Sequence, residues 1–378
     1  MKKVYFDSAA TSQLRNEVIH TMTNVLKTEY GNPSSTHTYG RSSKSLLENC
    51  RKEIAKLFNV QASEIIFTSG GTEADNLAIQ SCVRSLGVQT IITSKLEHHA
   101  VLHTVESLQK KEGIEVLYVN HKEDSSIDID HFEILLKKSN SKTLVSLMHV
   151  NNEIGTLLPI EKIASISKEN GVLFHSDMVQ SIGHFGKVPI DFAAASAHKF
   201  HGPKGVGFAF VRKNSGLKPL IVGGGQERGL RAGTEAVYAI AGMTEALKIS
   251  YQNLDNEKQY IASLKEYFKT ELTKSINNVT FNGLSGDTEQ STYSILSVNL
   301  PIPEDKAQLL VFQLDLKGIA CSQGSACQSG SDEGSHVLKQ ILSEDKLRNP
   351  SIRFSFSCFN TKPEIDYVIA TLKEFVEN

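Results

Sequence analysis

No stretch of about 18 consecutive apolar residues occurs in the chain, which excludes a transmembrane helix. No sign of charge prevails: 40 Lys+Arg stand against 42 Asp+Glu, a formal net charge of −2. That balance leaves no electrostatic reason to expect nucleic acid or an anionic membrane surface as a partner. Cysteine is scarce. Cys50, Cys82, Cys321, Cys327 and Cys358 are an odd, scattered set that makes no disulfide framework. The C-x5-C spacing of Cys321 and Cys327 is not a usual zinc pair and has no second pair beside it, so no metal site is expected. Internal repeats and low-complexity tracts are missing, and Met1 leads into Val4-Tyr5-Phe6 without an apolar signal region. A reducing, cytoplasmic setting is the expectation. What is present is ordinary for a globular protein, 40% hydrophobic and 22% charged, which excludes disorder of the whole chain. A length of 378 residues suits two domains, or a large one with a smaller satellite.

Short β-branched runs alternate with amphipathic stretches over most of the length. The runs 65–68, 90–93, 116–119, 144–148, 172–175, 193–196 and 206–211 predict strands. Leu46, Leu47, Cys50, Ile54, Leu57 and Phe58 fall three or four apart, one face of a helix. Thr72 is a candidate cap for a helix running on through Leu77 and Val83. Strand–helix–strand repetition implies parallel pairing with helices on both faces, an α/β architecture. After about residue 245 the texture changes. A charged helical stretch over 251–274 precedes a strand over 294–300, a helix over 307–316, a strand over 351–356 and a helix over 363–376. These read as a smaller α+β domain at the C-terminus.

Five segments carry residues fit for chemistry. Ser196-Ala197-His198-Lys199 follows a short apolar strand. Its lysine is either a solvated surface residue or a Schiff-base amine on a rigid mount. Asp177 ends the run Val172-Leu173-Phe174-His175-Ser176, with Gln180 three residues on. It either caps the next helix or pairs with a pyridinium nitrogen at the ligand-binding edge of the sheet. Phe67-Thr68-Ser69-Gly70-Gly71-Thr72 runs from a strand through glycines into a helix start, a plain turn or a phosphate cradle. Glu97-His98-His99 and His149-Val150-Asn151-Asn152-Glu153-Ile154-Gly155 end two further strands. A histidine there could stack on an aromatic ring, and the amides could bond a ring substituent. Unrelated features would scatter over both sheet edges. All five sit at carboxyl ends, which favours one site.

At these motifs the sequence resembles the pyridoxal-phosphate enzymes of fold type I, class V aminotransferase type, and within them the cysteine desulfurases of the iron–sulfur assembly kind. The likeness runs from Tyr5-Phe6-Asp7-Ser8-Ala9-Ala10-Thr11 through Tyr30-Gly31-Asn32-Pro33-Ser34-Ser35 to Ser351-Ile352-Arg353-Phe354-Ser355. It implies a large domain over 12–250 with a mainly parallel seven-stranded sheet flanked by helices. It also implies a small α+β domain made of 1–11 and 251–378, carrying a mobile cysteine loop at about 321–335. The resemblance implies that Lys199 bonds the aldehyde of pyridoxal 5'-phosphate, Asp177 keeps the ring nitrogen protonated, and Gln180 bonds the phenolic oxygen with Asn152 nearby. His98 would stack on the ring and move protons. Gly71, Thr72, Ser196 and His198 would hold the phosphate. Thr234 would reach the phosphate of the neighbouring subunit, which implies a homodimer. Arg353 would clamp the substrate carboxylate, with Asn32 and Asn152 as further substrate contacts. Three positions depart from the family pattern: Ala197, Met178 and Ala232. Met178 is the largest change, with the size to sit against the ring face.

Eight of the fourteen residues from Ser322 to Ser335 are Ser or Gly, a composition that predicts a mobile segment with Cys327 exposed in it. By composition alone that thiol could be incidental. Gly324-Ser325-Ala326-Cys327 resembles the desulfurase nucleophile segment. The implied reaction takes L-cysteine to L-alanine, leaves the sulfur on Cys327 as a persulfide, and passes it to a sulfur acceptor or iron–sulfur scaffold protein. The rivals are a selenocysteine lyase, a class V aminotransferase that needs no Cys327, and a catalytically weak scaffold for a sulfur-assembly partner. The other four cysteines are assigned structural roles.

Overall fold

Apolar runs bounded by polar and glycine-rich turns become strands throughout the computed structural model, which describes residues 2–186, 190–302, 309–323 and 334–377. In chain order these are β1 (Val4–Tyr5), β2 (Ile65–Thr68), β3 (Thr90–Thr93), β4 (Glu115–Tyr118), β5 (Thr143–Ser146), β6 (Leu173–Asp177), β7 (Phe192–Ser196), β8 (Gly207–Val211), β9 (Thr280–Phe281), β10 (Ile295–Asn299), β11 (Ile319–Ala320) and β12 (Ser351–Ser355). Seven of them form one sheet in the order β2-β8-β7-β6-β5-β3-β4. Neighbours from β7 to β4 are parallel, whereas β8 is antiparallel to both β7 and β2. Six strands therefore run one way and open their carboxyl ends on one edge.

Uniform parallel pairing fails at β8 for a steric reason. Only residues 197–206 join β7 to β8, with a single 3₁₀ turn at Ala197–Lys199. A parallel crossover needs about a dozen residues or more, so the chain reverses instead.

Successive side chains of each strand feed opposite cores. Ile65, Phe67, Ile92 and Val145 point into one core with helices α1 (Asn16–Thr28) and α2 (Thr38–Phe58). Ile66, Ile91 and Leu144 point into another, beneath α3 (Gly71–Leu86) and α4 (His99–Glu112). The face of α2 predicted from spacing buries Leu47, Cys50 and Ile54. The helical stretch expected over 251–274 is present as one helix that starts three residues later, with a separate helix before it. The two cover Val237–Gln252 and Leu254–Ser275, broken at Asn253.

A third apolar core belongs to the C-terminal elements and the N-terminus together. β12, β10 and β9 form an antiparallel sheet, and β1 pairs with β11. Phe6 packs edge-on against Phe356 at 5.3 Å, and Phe268 lies 4.7 Å from Phe354. The helix expected over 307–316 is present as Leu310–Leu316, residues 303–308 being outside the described ones.

One buried ion pair locks the 221–233 segment to the large sheet. Arg51 donates to both oxygens of Glu227 at 2.7 Å, and the Phe67 amide donates to Glu227 Oε2 at 2.7 Å. The two side chains are 2% and 1% exposed, so breaking the pair strands a buried guanidinium. Glu227→Ala is expected to cost about 3–5 kcal/mol, read as a fall in the urea unfolding midpoint.

Candidate active site

The carboxyl ends of the large sheet and residues Ala9–Thr11 surround a cavity of about 690 Å³. At one end lies the turn from β2 into α3. The helix begins at Gly71 with Gly70 as its cap residue and no side-chain cap, so Thr72 is not the cap expected from the sequence. Gly70 has φ +155°, and a Cβ on Gly71 would meet Val179 Cγ2 at 2.4 Å. Only glycines pass here, and they carry the helix start one residue ahead of Thr72. The first amides of α3 thus face the cavity without a side-chain acceptor, a setting that suits an anion. Ser196 and His198 line the same end. His198 Nδ1 is buried without a hydrogen-bond partner, and burial pushes its pKa down to about 4.

At the middle are the amine and the acid. Lys199 Nζ donates to the carbonyls of Ala9 and Ala10 at 2.6 and 2.9 Å. Gln180 Nε2 donates to the same Ala9 carbonyl at 2.9 Å. Asp177 is 6% exposed, and its Oδ1 accepts from the Val179 amide at 2.9 Å. Burial raises its pKa, while the His98 ring, the Val179 amide and the Lys199 ammonium pull the other way. His98 caps α4: its Nδ1 accepts from the Ala100 amide at 3.1 Å, so a neutral ring carries its proton on Nε2. Burial lowers its pKa against the pull of Asp177, which favours that neutral form.

On the far wall stands Arg353, 3% exposed, donating from Nη1 to the Asn152 carbonyl at 2.8 Å and from Nη2 to Asp7 Oδ1 at 2.9 Å. Gly71, Thr72, His98, Asn152, Asp177, Gln180, Ser196, His198, Lys199 and Arg353 therefore meet in one cavity. Asn32 and Thr234 are exposed and do not line it. Cys327 and most of the segment about 321–335 lie outside the described residues. Met178 is a correction: it is 5% exposed within the first apolar core and does not line the cavity. Its backbone follows β6, where the pleat turns it away from the face that Asp177 presents.

Sequence reasoning missed a layer of buried groups behind these. Asp75 is 1% exposed and lines the cavity, with Oδ1 3.3 Å from His175 Nε2. His175 Nδ1 bonds Ser146 Oγ at 2.9 Å, and burial pushes its pKa down to about 3. Glu97 accepts from the Met148 amide at 2.7 Å. Burial, with the charge of Asp177 added, holds Asp75 and Glu97 well above the usual carboxylate range. Of the three, Asp177 alone has the Lys199 ammonium and the His98 ring opposing the upward push of burial. An aspartate among apolar helix residues, Ala74, Leu77 and Ala78, is the one sequence signal that marks Asp75. Further out, Ser335 donates to Glu153, and His336 Nε2 bonds the Glu97 carbonyl at 2.9 Å.

Residues 4–368 match the aminotransferase class-V family. The chain is 40% identical over its whole length to the cysteine desulfurase IscS of Dictyoglomus turgidum, covering 95% of that protein. It is also similar to a solved NifS-like protein, with a TM-score of 0.90, 34% identity and full coverage of both chains. A structure described as SspA in complex with cysteine matches 95% of this chain and 100% of its own, with a TM-score of 0.80 and 32% identity.

Proposed function

This chain belongs to the class V aminotransferase family, whose members use pyridoxal phosphate, and from that premise we propose how it acts as an L-cysteine desulfurase. The observation that carries the proposal is the meeting of Lys199, Asp177 and an uncapped helix start in one cavity. Those groups fit a phosphate-bearing pyridine: amides for the phosphate, an acid for the ring nitrogen, an amine for the aldehyde. Bound there, the cofactor supplies an electron sink that weakens bonds at the substrate's Cα.

The residues do the rest. Gly71, Thr72, Ser196 and His198 would hold the phosphate, and Asp177 would face the ring nitrogen and keep it protonated. Gln180 and Asn152 would bond the ring oxygen. Lys199 would hold the aldehyde carbon and serve as the base that moves a proton at Cα. His98 would lie against the ring with its exchangeable proton on Nε2. Arg353 takes the substrate carboxylate, with Asn32 and Asn152 beside it. The Cys327 thiolate attacks the substrate sulfur: a sulfur–sulfur bond forms, the sulfur–Cβ bond breaks, and the carbon skeleton leaves as alanine after protonation. The outer sulfur then passes to an acceptor thiol, for which an iron–sulfur scaffold protein is our candidate.

We assign 12–250 to a large cofactor-binding domain and 1–11 with 251–378 to a small one, supported by their separate apolar cores. A homodimer is supported by exposed apolar side chains beside the two site residues that stay outside the cavity. Tyr30 and Tyr39, 70% and 57% exposed, flank Asn32 in sequence, and Val222, 81% exposed, precedes Thr234. Thr234 would meet the partner's phosphate there. A cytoplasmic location fits a chain in which no helix among the described residues is long and apolar enough to cross a membrane.

The test is a yellow purified protein that, with a dithiol reductant present to reduce the persulfide, releases alanine and sulfide from L-cysteine in equal amounts. A colourless protein that binds no pyridoxal phosphate would end the proposal. Arg353→Ala is expected to raise the cysteine concentration for half-saturation by roughly 10–100-fold, the worth of a charge-assisted pair, with cofactor content intact. Unchanged saturation would remove Arg353 from the substrate site.

A further inference from the structure

Arg353 reaches the cavity with its guanidinium already fixed from behind. Nη1 is committed to the Asn152 carbonyl at 2.8 Å and Nη2 to Asp7 Oδ1 at 2.9 Å. A guanidinium has five N–H donors, so each η nitrogen keeps one after these bonds. A donor left on each η nitrogen is available to a carboxylate. Asp7 does not line the cavity and stands behind Arg353. The same oxygen accepts from Ser322 Oγ at 2.8 Å, and the Arg353 amide donates to the Ser322 carbonyl at 2.7 Å. Asp7 is itself rigid. Its backbone bridges to Ser355, and its carbonyl accepts from the Ala10 amide at 3.0 Å.

We propose that Asp7 is a positioning residue for substrate recognition: its Oδ1 sets the plane of the Arg353 fork and ties Ser322, five residues before Cys327, to the same point. This rests on Arg353 taking the substrate carboxylate. Without Asp7 the guanidinium can swing about its long stem, and a carboxylate must then order it on binding. The effect is confined to ligands that carry a carboxylate. Position, rather than negative charge, is what Asp7 contributes, because an amide oxygen at the same place accepts the same two bonds.

The experiment titrates the holoenzyme with L-cysteine and with cysteamine, which lacks the carboxylate, following the cofactor's absorbance. In Asp7→Ala, half-saturation by L-cysteine is expected to rise by about 10-fold or more, while cysteamine stays within about 2-fold of the parent. Asp7→Asn is expected to stay within about 3-fold for both ligands. Parental saturation by L-cysteine in Asp7→Ala overturns the inference. So does an equal loss for both ligands, which is collapse of the site, or an Asp7→Asn variant as weak as Asp7→Ala. Arg353→Ala is titrated alongside. If it too saturates like the parent, the assignment of Arg353 is what fails; if it is weak while Asp7→Ala is parental, Asp7 alone is refuted. If Asp7→Ala does not accumulate as holoenzyme, Asp7→Ser carries the same comparison.

Discussion

Replacing Lys199 by alanine is expected to give a colourless protein that consumes L-cysteine at least about 10³-fold more slowly, within the range that one positioned proton-transfer group contributes. The geometry says why no neighbour substitutes. Lys199 Nζ is placed by two backbone carbonyls, Ala9 at 2.6 Å and Ala10 at 2.9 Å, on a 3₁₀ turn clamped to the end of β7. The nearby bases His98 and His198 are neutral imidazoles with pKa values lowered by burial, and neither is a primary amine. The variant should also change the acid. Lys199 is among the groups that oppose the upward push of burial on Asp177, so removing it lets that carboxyl protonate at a higher pH. Partial recovery of rate with added methylamine separates a missing amine from a misfolded site. A yellow Lys199→Ala protein turning over at the parental rate would end the assignment.

How much of this was legible in the sequence follows the range of the interactions involved. Strands β2 and β3 fall where their β-branched runs predict, and the other large-sheet strands shift by one or two residues, because alternation is a local signal. The convergence of five motifs was legible for the same reason. Each is a strand end, and parallel strands bring such ends to one edge. The reversal at β8 was not read, although the short link after Lys199 contained the reason. The cap at Gly70 depends on Val179 pressing against Gly71, a contact made only when β6 has been placed beside the turn. The second layer was illegible outright. Arg353 and Asp7 are 346 residues apart in sequence, and His336 and Glu97 are 239 apart. No periodicity in either segment specifies such a partner. The two-residue strands β1, β9 and β11 are too short to carry any alternation.

Cys327→Ser is the second large effect, and the thiols elsewhere in the chain make it a sharp test. Persulfide formation needs a thiolate. Cys50 and Cys82 are buried, Cys321 and Cys358 are half-buried, and burial raises the pKa of all four. For Cys321 the push reaches about 12. At neutral pH such a thiol is ionised to only about one part in 10⁵, too little for efficient attack. Cys327, outside the described residues, stands in a run of serines and glycines between Ser322, bonded to Asp7, and Ser335, bonded to Glu153. Ser335 is thus tied to Glu153 on the cavity wall, and Ser322 to Asp7 behind Arg353. Cys327→Ser is therefore expected to stay yellow and to keep the absorbance change on adding L-cysteine, while sulfide release falls at least about 10³-fold, because a serine hydroxyl is a weak nucleophile at its free pKa. Tandem mass spectrometry on the parent treated with sulfur-labelled cysteine should find, by fragment ions within the peptide shared with Cys321, the extra sulfur on Cys327, and Cys321→Ser should leave both readouts unchanged. Sulfide released by Cys327→Ser at the parental rate would transfer the role to another thiol, and fragment ions placing the label on Cys321 would say which.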